Sequence, residues 1–237
     1  MAKLTSRKIC VIIPAYNEGA VIKDVVESAR REFEKTAFHY EIVVVDDGSG
    51  DNTGSEAASG GAMVIRHMLN SGAGAATATG LSFAQQNKFD AAATMDADGQ
   101  HSPADVVKGF QILQASEADL LIGSRLIDSK GMSRVKVLGN KGLSFITYLL
   151  FGINSTDSQS GLRIFSRRSL EQLRWRTSGY EFCSEMLWRA KQIGLAIDEF
   201  PIKAIYTDYS KAKGQNNWNA VNIIKSLLKR RITELLG

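Results

Sequence analysis

The polar residues best placed for chemistry fall in three short clusters: Pro14-Ala15-Tyr16-Asn17-Glu18, Asp46-Asp47-Gly48-Ser49 and Asp96-Ala97-Asp98-Gly99-Gln100-His101. Asp96 and Asp98 are two residues apart, and in a loop such a pair converges on one hard cation, with Gln100 able to add a neutral oxygen. Mg2+ or Mn2+ suits this donor set, because it keeps coordination positions open for phosphate oxygens. Taken alone, the pair also reads as turn and capping aspartates ahead of Pro103. His101 is a further metal-ligand candidate, or a residue that orients a ligand. A fourth cluster, Gly72-Ala73-Gly74-Ala75-Ala76-Thr77, outlines a dinucleotide-binding turn. It follows the third strand rather than the first, and Thr77 replaces the third glycine, so close packing of a helix explains it equally well.

The frame for these clusters is legible in the hydrophobic pattern. Lys8–Ile13, Glu41–Val45, Met63–Arg66, Ala91–Met95 and Leu120–Gly123 read as buried strands. Helices are expected from Gly19 to about Lys35, on the repeat Val21, Val25, Ala29, Phe33, then at Gly72–Gln86 and from Pro103 onward. The alternation implies an α/β fold with a parallel sheet covered by helices on both faces. Ligands bind at the carboxyl ends of such strands, where the three clusters fall. The second half is less regular: helices at Val137–Phe151 and Glu181–Ile193, strands at Gly161–Phe165 and Ala196–Phe200. From Trp218 to Leu235, the spacing of Val221, Ile224, Leu228, Ile232 and Leu235 predicts a basic amphipathic helix, suited to a membrane surface or to packing on the core.

Composition excludes several classes. With 237 residues, 44% hydrophobic and 23% charged, the chain is neither disordered nor fibrous. Its net charge of +4 divides unevenly, an acidic first half up to Asp119 preceding a basic second half. A metal site followed by an anion site fits that division better than a nucleic-acid partner does. Cys10 and Cys183 make no disulfide framework, so a reducing, cytoplasmic compartment is expected. The near-apolar stretch Leu143–Ile153 is far shorter than the roughly 20 residues of a membrane-spanning helix, so no spanning segment is expected.

Taken in order, VIIPAYNE, VVVDDGSGDNT, NSGAGAATATG, TMDADGQH and DSQSGLRIF resemble the inverting family 2 glycosyltransferases of the GT-A fold, in particular the dolichyl- or polyprenyl-phosphate sugar synthases. The resemblance implies a Rossmann-like, mostly parallel sheet in residues 1–210, followed by a basic loop and helix in 211–237 that form no separate domain. It implies a metal-dependent transfer of sugar from a UDP- or GDP-linked donor to a polyprenyl phosphate, by a peripheral enzyme on the cytoplasmic membrane face. Pro14, Ala15, Tyr16 and Glu18 fall where the family holds the nucleoside, and Asp46, Asp47 and Gly48 where base and ribose are contacted. Asp96, Ala97 and Asp98 match the D-x-D segment that binds donor diphosphate, with Asp96, Asp98 and Gln100 as metal ligands. Arg125, Arg134 and Arg163 fall where the acceptor phosphate is held, and Asp157 matches an acceptor-side carboxylate. Asp98, Asp157, Arg125 and Arg134 are thus the catalytic candidates. The family's Asn-x-Gly-Lys-Gly motif here reads Asn70-Ser71-Gly72-Ala73-Gly74, without its lysine. Glu181, Glu185, Lys211 and Lys213 are further site candidates, each equally readable as a solvated residue. Two alternatives stay open: a sugar-hydroxyl acceptor, for which Asp157 would be the base, and a non-catalytic nucleotide-sugar-binding protein.

Overall fold

The computed structural model describes residues 7–129, 132 and 134–205. The expected helix from Trp218 to Leu235, the Lys211/Lys213 loop and the 210/211 boundary lie outside the described residues. The elements are β1 (Lys8–Ala15), α1 (Ile22–Phe33), β2 (His39–Asp46), α2 (Thr53–Ser59), β3 (Met63–Arg66), α3 (Ala73–Gln86) and β4 (Ala91–Thr94). There follow α4 (Pro103–Ala115), β5 (Leu120–Ser124), α5 (Arg134–Phe151), β6 (Arg163–Ser166), α6 (Arg167–Gln172), α7 (Phe182–Gln192) and β7 (Ile197–Pro201).

The strands form one sheet in the order β3-β2-β1-β4-β6-β5-β7. Successive side chains alternate between its faces, so each apolar strand feeds two cores. Ile9, Val11 and Ile13 pack with Val25, Val26, Phe33 and Phe110 of α1 and α4. Cys10 and Ile12 lie on the other face, with Leu81 of α3 and Met186 of α7. Both cysteines are buried and unpaired with one another.

The chain runs outward from β1 to β3 and then returns to β4 on β1's other side, which creates a switch point at the carboxyl ends of β1, β2 and β4. The sheet is mostly parallel, as expected; among the described strands β6 is the exception, running antiparallel to both β4 and β5. Helix α5 returns the chain to the edge it left, so β6 begins beside the ends of β4 and β5. Arg163 consequently stands opposite both Thr94 and Ile122, and the loop before it joins the switch point.

Candidate active site

Pairing of β1 with β2 puts Ala15 beside Asp46, and the loops that follow are laced together. Asn17 N–H donates to Ser49 Oγ (3.0 Å), Glu18 N–H to Thr53 Oγ1 (2.8 Å), Gly19 N–H to Asp51 Oδ2 (3.0 Å) and Gly50 N–H to Asn17 Oδ1 (2.9 Å). Burial pushes the Asp51 carboxyl up, but hydrogen bonds from the Thr53 hydroxyl and from backbone N–H groups outweigh it and hold the group below its ordinary value. Ala15 and Glu18 are buried while Tyr16 is exposed. Asp46 is fully buried; its Oδ1 accepts the Ser49 N–H (2.9 Å) and its Oδ2 lies 3.6 Å from Arg66 Nε. Asp47 accepts the N–H groups of Ser71 (2.9 Å) and Gly72 (2.8 Å) and lies 2.7 Å from His67 Nδ1. Both aspartates therefore shape the surrounding loops, with Gly48 turning the chain between them and residues 69–70.

Asp96 and Asp98 leave β4 at the same edge. The Asp96 side chain is 49% exposed and rests on Gly161, where an added Cβ would come within 2.1 Å of Asp96 Oδ1. Only a glycine lets that carboxylate lie against the loop before β6. His101 is buried; its Nδ1 accepts the Asp96 N–H (3.1 Å), which places the proton of the neutral ring on Nε2, 3.7 Å from Asp96 Oδ2. Asp98 accepts the Gln100 backbone N–H (2.9 Å) and its side-chain amide N–H. Burial first, and then the charge of Asp96, raise the Asp98 carboxyl above its ordinary value. Such a pair calls for a positive counter-charge. Among the described residues no group of three or more His, Cys, Asp or Glu residues converges. A pair of carboxylates, with phosphate and water completing the shell, is how Mg2+ is ordinarily held, so the residues fit such an ion.

On the other side of this edge, Arg125 grips Asp157 with two parallel bonds, from Nε to Oδ2 (2.7 Å) and from Nη2 to Oδ1 (2.8 Å). The Arg125 backbone N–H adds a third, to Oδ2 (3.1 Å). Asp157 has no exposed surface, and the Arg125 side chain keeps 15% of its own. Arg134 opens α5 and is exposed. Arg163 does not fit the expected phosphate-binding role. It is 1% exposed and its guanidinium donates to the carbonyls of Ser160 (3.0 Å), Ser158 (2.8 Å) and Cys183 (3.1 Å). Strand alternation sets Arg163 on the same face as Phe165, beneath α7, so it fixes the loop that carries Asp157.

The family model described as glycosyl transferase family 2 matches residues 10–174, well over half of the chain. The chain belongs to glycosyl transferase family 2. It is 40% identical to the UDP-N-acetylglucosamine--dolichyl-phosphate N-acetylglucosaminyltransferase of Methanococcus voltae, across 98% of this chain and 100% of that one. It is 29% identical to the polyprenol monophosphomannose synthase of Mycolicibacterium smegmatis, across 94% of this chain and 86% of that one. The fold is shared with glucosyl-3-phosphoglycerate synthase from Mycobacterium tuberculosis, at a TM-score of 0.72 and 23% identity over 95% of this chain and 80% of that one. That crystal structure holds Mn2+, UDP-glucose and phosphoglyceric acid. The architecture is thus the GT-A fold and the protein a glycosyltransferase.

In this family 2 glycosyltransferase the glycine cluster has a packing role. Gly72 adopts φ +96, and a Cβ there would lie 2.4 Å from Ser178 O. The Gly74 N–H donates to that same carbonyl (2.6 Å), so the protein's own backbone occupies the first turn of α3, where a dinucleotide phosphate would bind. Glu185 holds the opposing segment: its buried Oε2 accepts the N–H groups of Thr177 (2.8 Å) and Arg176 (3.2 Å). The open choice for Glu185 therefore resolves to structure. Glu181 directly precedes α7 and is half-buried. Two residues were not singled out from sequence. His67 bridges Asp47 and Thr79 Oγ1 (3.0 Å). Tyr180 has a hydroxyl whose pKa is raised by burial first, then by Asp96, Cys183, Glu18 and Asp98, which locates it among the acids of the site. Neither lies in a polar cluster at a strand end, so no local pattern marked it.

Proposed function

We propose that this glycosyltransferase moves a sugar from a nucleotide donor to a polyprenyl phosphate, with inversion at the anomeric carbon. The donor nucleoside would lie along Pro14, Ala15, Tyr16, Glu18 and the Asp46-Asp47-Gly48 loop, and the diphosphate along Asp96, Ala97 and Asp98. Mg2+ or Mn2+ held by Asp96 and Asp98, with Gln100 beside them, would supply Lewis-acid stabilisation of the leaving diphosphate. Arg125 and Arg134 would orient the acceptor phosphate. One of its oxygens attacks the anomeric carbon as the bond to the nucleoside diphosphate breaks, the electron pair leaving with the diphosphate. The relatives' names support a polyprenyl or dolichyl phosphate acceptor, and the Methanococcus voltae relative supports a UDP-linked donor. Acting on the cytoplasmic face of a membrane would suit two cysteines that form no disulfide.

The observation that carries this reading is the Arg125–Asp157 pair. Asp157 is buried with both oxygens engaged, so the carboxylate that a hydroxyl acceptor would need as its base is unavailable. A phosphate monoester, with a second pKa of about 6, is already ionised and needs none. Incubation with labelled UDP-N-acetylglucosamine, UDP-glucose and GDP-mannose, Mn2+ and a short polyprenyl phosphate tests the proposal. Lipid-phosphate sugar should form, and Asp98→Ala should slow it by about 10²–10³, the usual effect of removing one group that stabilises developing charge. Transfer to a sugar hydroxyl but never to the phosphate would overturn the reading.

A further inference from the structure

The end of β3 sets two consecutive side chains against the aspartate pair of β2. Arg66 stands opposite Asp46, and the His67 N–H donates to the Asp46 carbonyl (2.9 Å), so His67 comes into register with Asp47. Strand alternation sends the two side chains to opposite faces. Arg66 Nε comes no nearer than 3.6 Å to Asp46 Oδ2, from a side chain that is 58% exposed. His67 makes the closer contact: Nδ1 lies 2.7 Å from Asp47 Oδ1, and Nε2 lies 3.0 Å from Thr79 Oγ1 on α3. Both groups are sheltered, the ring side chain 17% exposed and the Asp47 side chain 4%. An ionised carboxylate only accepts, so the neutral ring carries its proton on Nδ1 and its Nε2 accepts the Thr79 O–H. His101 has the opposite arrangement, its Nδ1 being the acceptor.

An ionised carboxylate offers about four acceptor sites. On Asp47, His67 and the Ser71 N–H take those of Oδ1, and the Gly72 N–H takes one on Oδ2. One site on Oδ2 is left over. Ser71 and Gly72 belong to a single loop, so their two N–H groups move with that loop. His67 is braced from α3 instead, and therefore fixes the carboxylate against the sheet. We infer that His67 is a positioning residue, which holds Asp47 so that the remaining site on Oδ2 accepts an N–H or O–H of the donor's nucleoside. The inference rests on the proposed placement of the nucleoside along the Asp46-Asp47-Gly48 loop, and it names the side chain that keeps an acceptor fixed there. A ring serving only to fill space would need neither nitrogen, yet both are engaged, one of them by a nearly buried carboxylate.

The test uses the full chain and the variants His67→Phe, His67→Asn and Thr79→Val. Asparagine carries a donor nitrogen on Cγ, where histidine has Nδ1, and so can still reach Asp47; phenylalanine fills the space without a donor. Binding of UDP and of GDP, each with Mn2+, is measured by calorimetric titration, alongside melting temperatures without ligand. His67→Phe should weaken nucleotide binding by about tenfold or more, the usual effect of losing a hydrogen bond to a charged group. His67→Asn should stay within about threefold of the parent, and Thr79→Val should fall between the two. In transfer assays with UDP-N-acetylglucosamine, His67→Phe should raise the donor KM and leave kcat unchanged, the signature of lost uniform binding. A phenylalanine variant that binds nucleotide as the parent does would overturn the inference. So would an asparagine variant as impaired as the phenylalanine one, or losses of binding that simply track the melting temperatures. A parent that binds neither UDP nor GDP would overturn it together with the placement of the nucleoside. The expected order of nucleotide binding, without transfer to any acceptor, would remove the proposed reaction and leave the role of His67 standing.

Discussion

At Asp98 the stability of the fold and the proposed metal site pull in opposite directions. Its carboxyl is raised by burial and by Asp96, so the fold favours the protonated form. A raised carboxyl contributes stability below its unfolded value of about 3.9, and that contribution is lost as pH rises through the folded value. In chelator at neutral pH, Asp98→Asn should therefore melt above the parent, and the difference should close as the pH falls below the carboxylate range. Asp51 has the opposite sign: its lowered value adds stability above the unfolded value that is lost as pH falls. Thermal melts of parent and Asp98→Asn across this range decide the point; a variant that melts lower at neutral pH would contradict it. The Arg125–Asp157 pair behaves differently, because each group neutralises the other. Removing one partner of such a pair costs about 3–5 kcal/mol, while replacing both by apolar residues is often neutral. Asp157→Asn should fall at the low end of that range in urea denaturation, since Arg125 keeps some solvent contact. Arg125→Met combined with Asp157→Leu should recover most of the stability and none of the transfer. A double variant as unstable as the single one would show that the pair's worth lies elsewhere.

At the scale of elements, what the sequence made visible follows from burial. The strands of the first half read clearly, because strands covered on both faces become unbroken apolar runs such as Ile42–Val45. Helices α2 and α6 escaped. The first is seven residues with Ala57 as its buried apolar side chain, and the second is six residues started by a Ser166 cap, so neither shows a helical period. The direction of β6 was equally hidden, since Arg-Ile-Phe-Ser reads alike whichever way it pairs; the inward course of Arg163 went unseen with it. The strand-end aspartates were legible as a group, yet the hydrogen-bond partners of Asp47 were not, because His67, Ser71 and Gly72 are brought to it only by tertiary packing. Two glycines test this packing separately. Gly72→Ala meets both a left-handed backbone and the Ser178 carbonyl, and should lower stability by about 1–3 kcal/mol in urea denaturation. Gly161→Ala meets the end of a movable carboxylate instead. It should leave the melting temperature nearly unchanged and weaken Mn2+ binding by about 10–100-fold, as disturbances of a ligand's support do; calorimetric titration with Mn2+ and UDP present measures it.

Over the whole molecule, the charge division acquires a physical reading. The acidic first half contributes Asp46, Asp47, Asp96 and Asp98 at one sheet edge, although exposed acids away from it, such as Asp24 on α1 and Glu34 just after it, make up part of its count. The basic second half places Arg125 across that edge and an acid-free α5 beside it. A site with two carboxylates leaves a divalent ion incompletely coordinated, and a diphosphate next to two carboxylates is repelled, so each ligand should need the other. Binding of metal and nucleotide should therefore be cooperative rather than additive. At about 100 times the dissociation constant a ligand stabilises its protein by about 2.7 kcal/mol, and a chain of this size gains roughly 2–4 °C per kcal/mol. UDP with Mn2+ together should thus raise the melting temperature by roughly 5–11 °C, while either alone should give a much smaller shift. Chelator should reverse the joint effect, and Asp98→Asn should abolish its metal-dependent part. If UDP alone produced the full shift in chelator, the nucleotide would be held by the loops without a cation, and the two acids of the D-x-D segment would need another explanation.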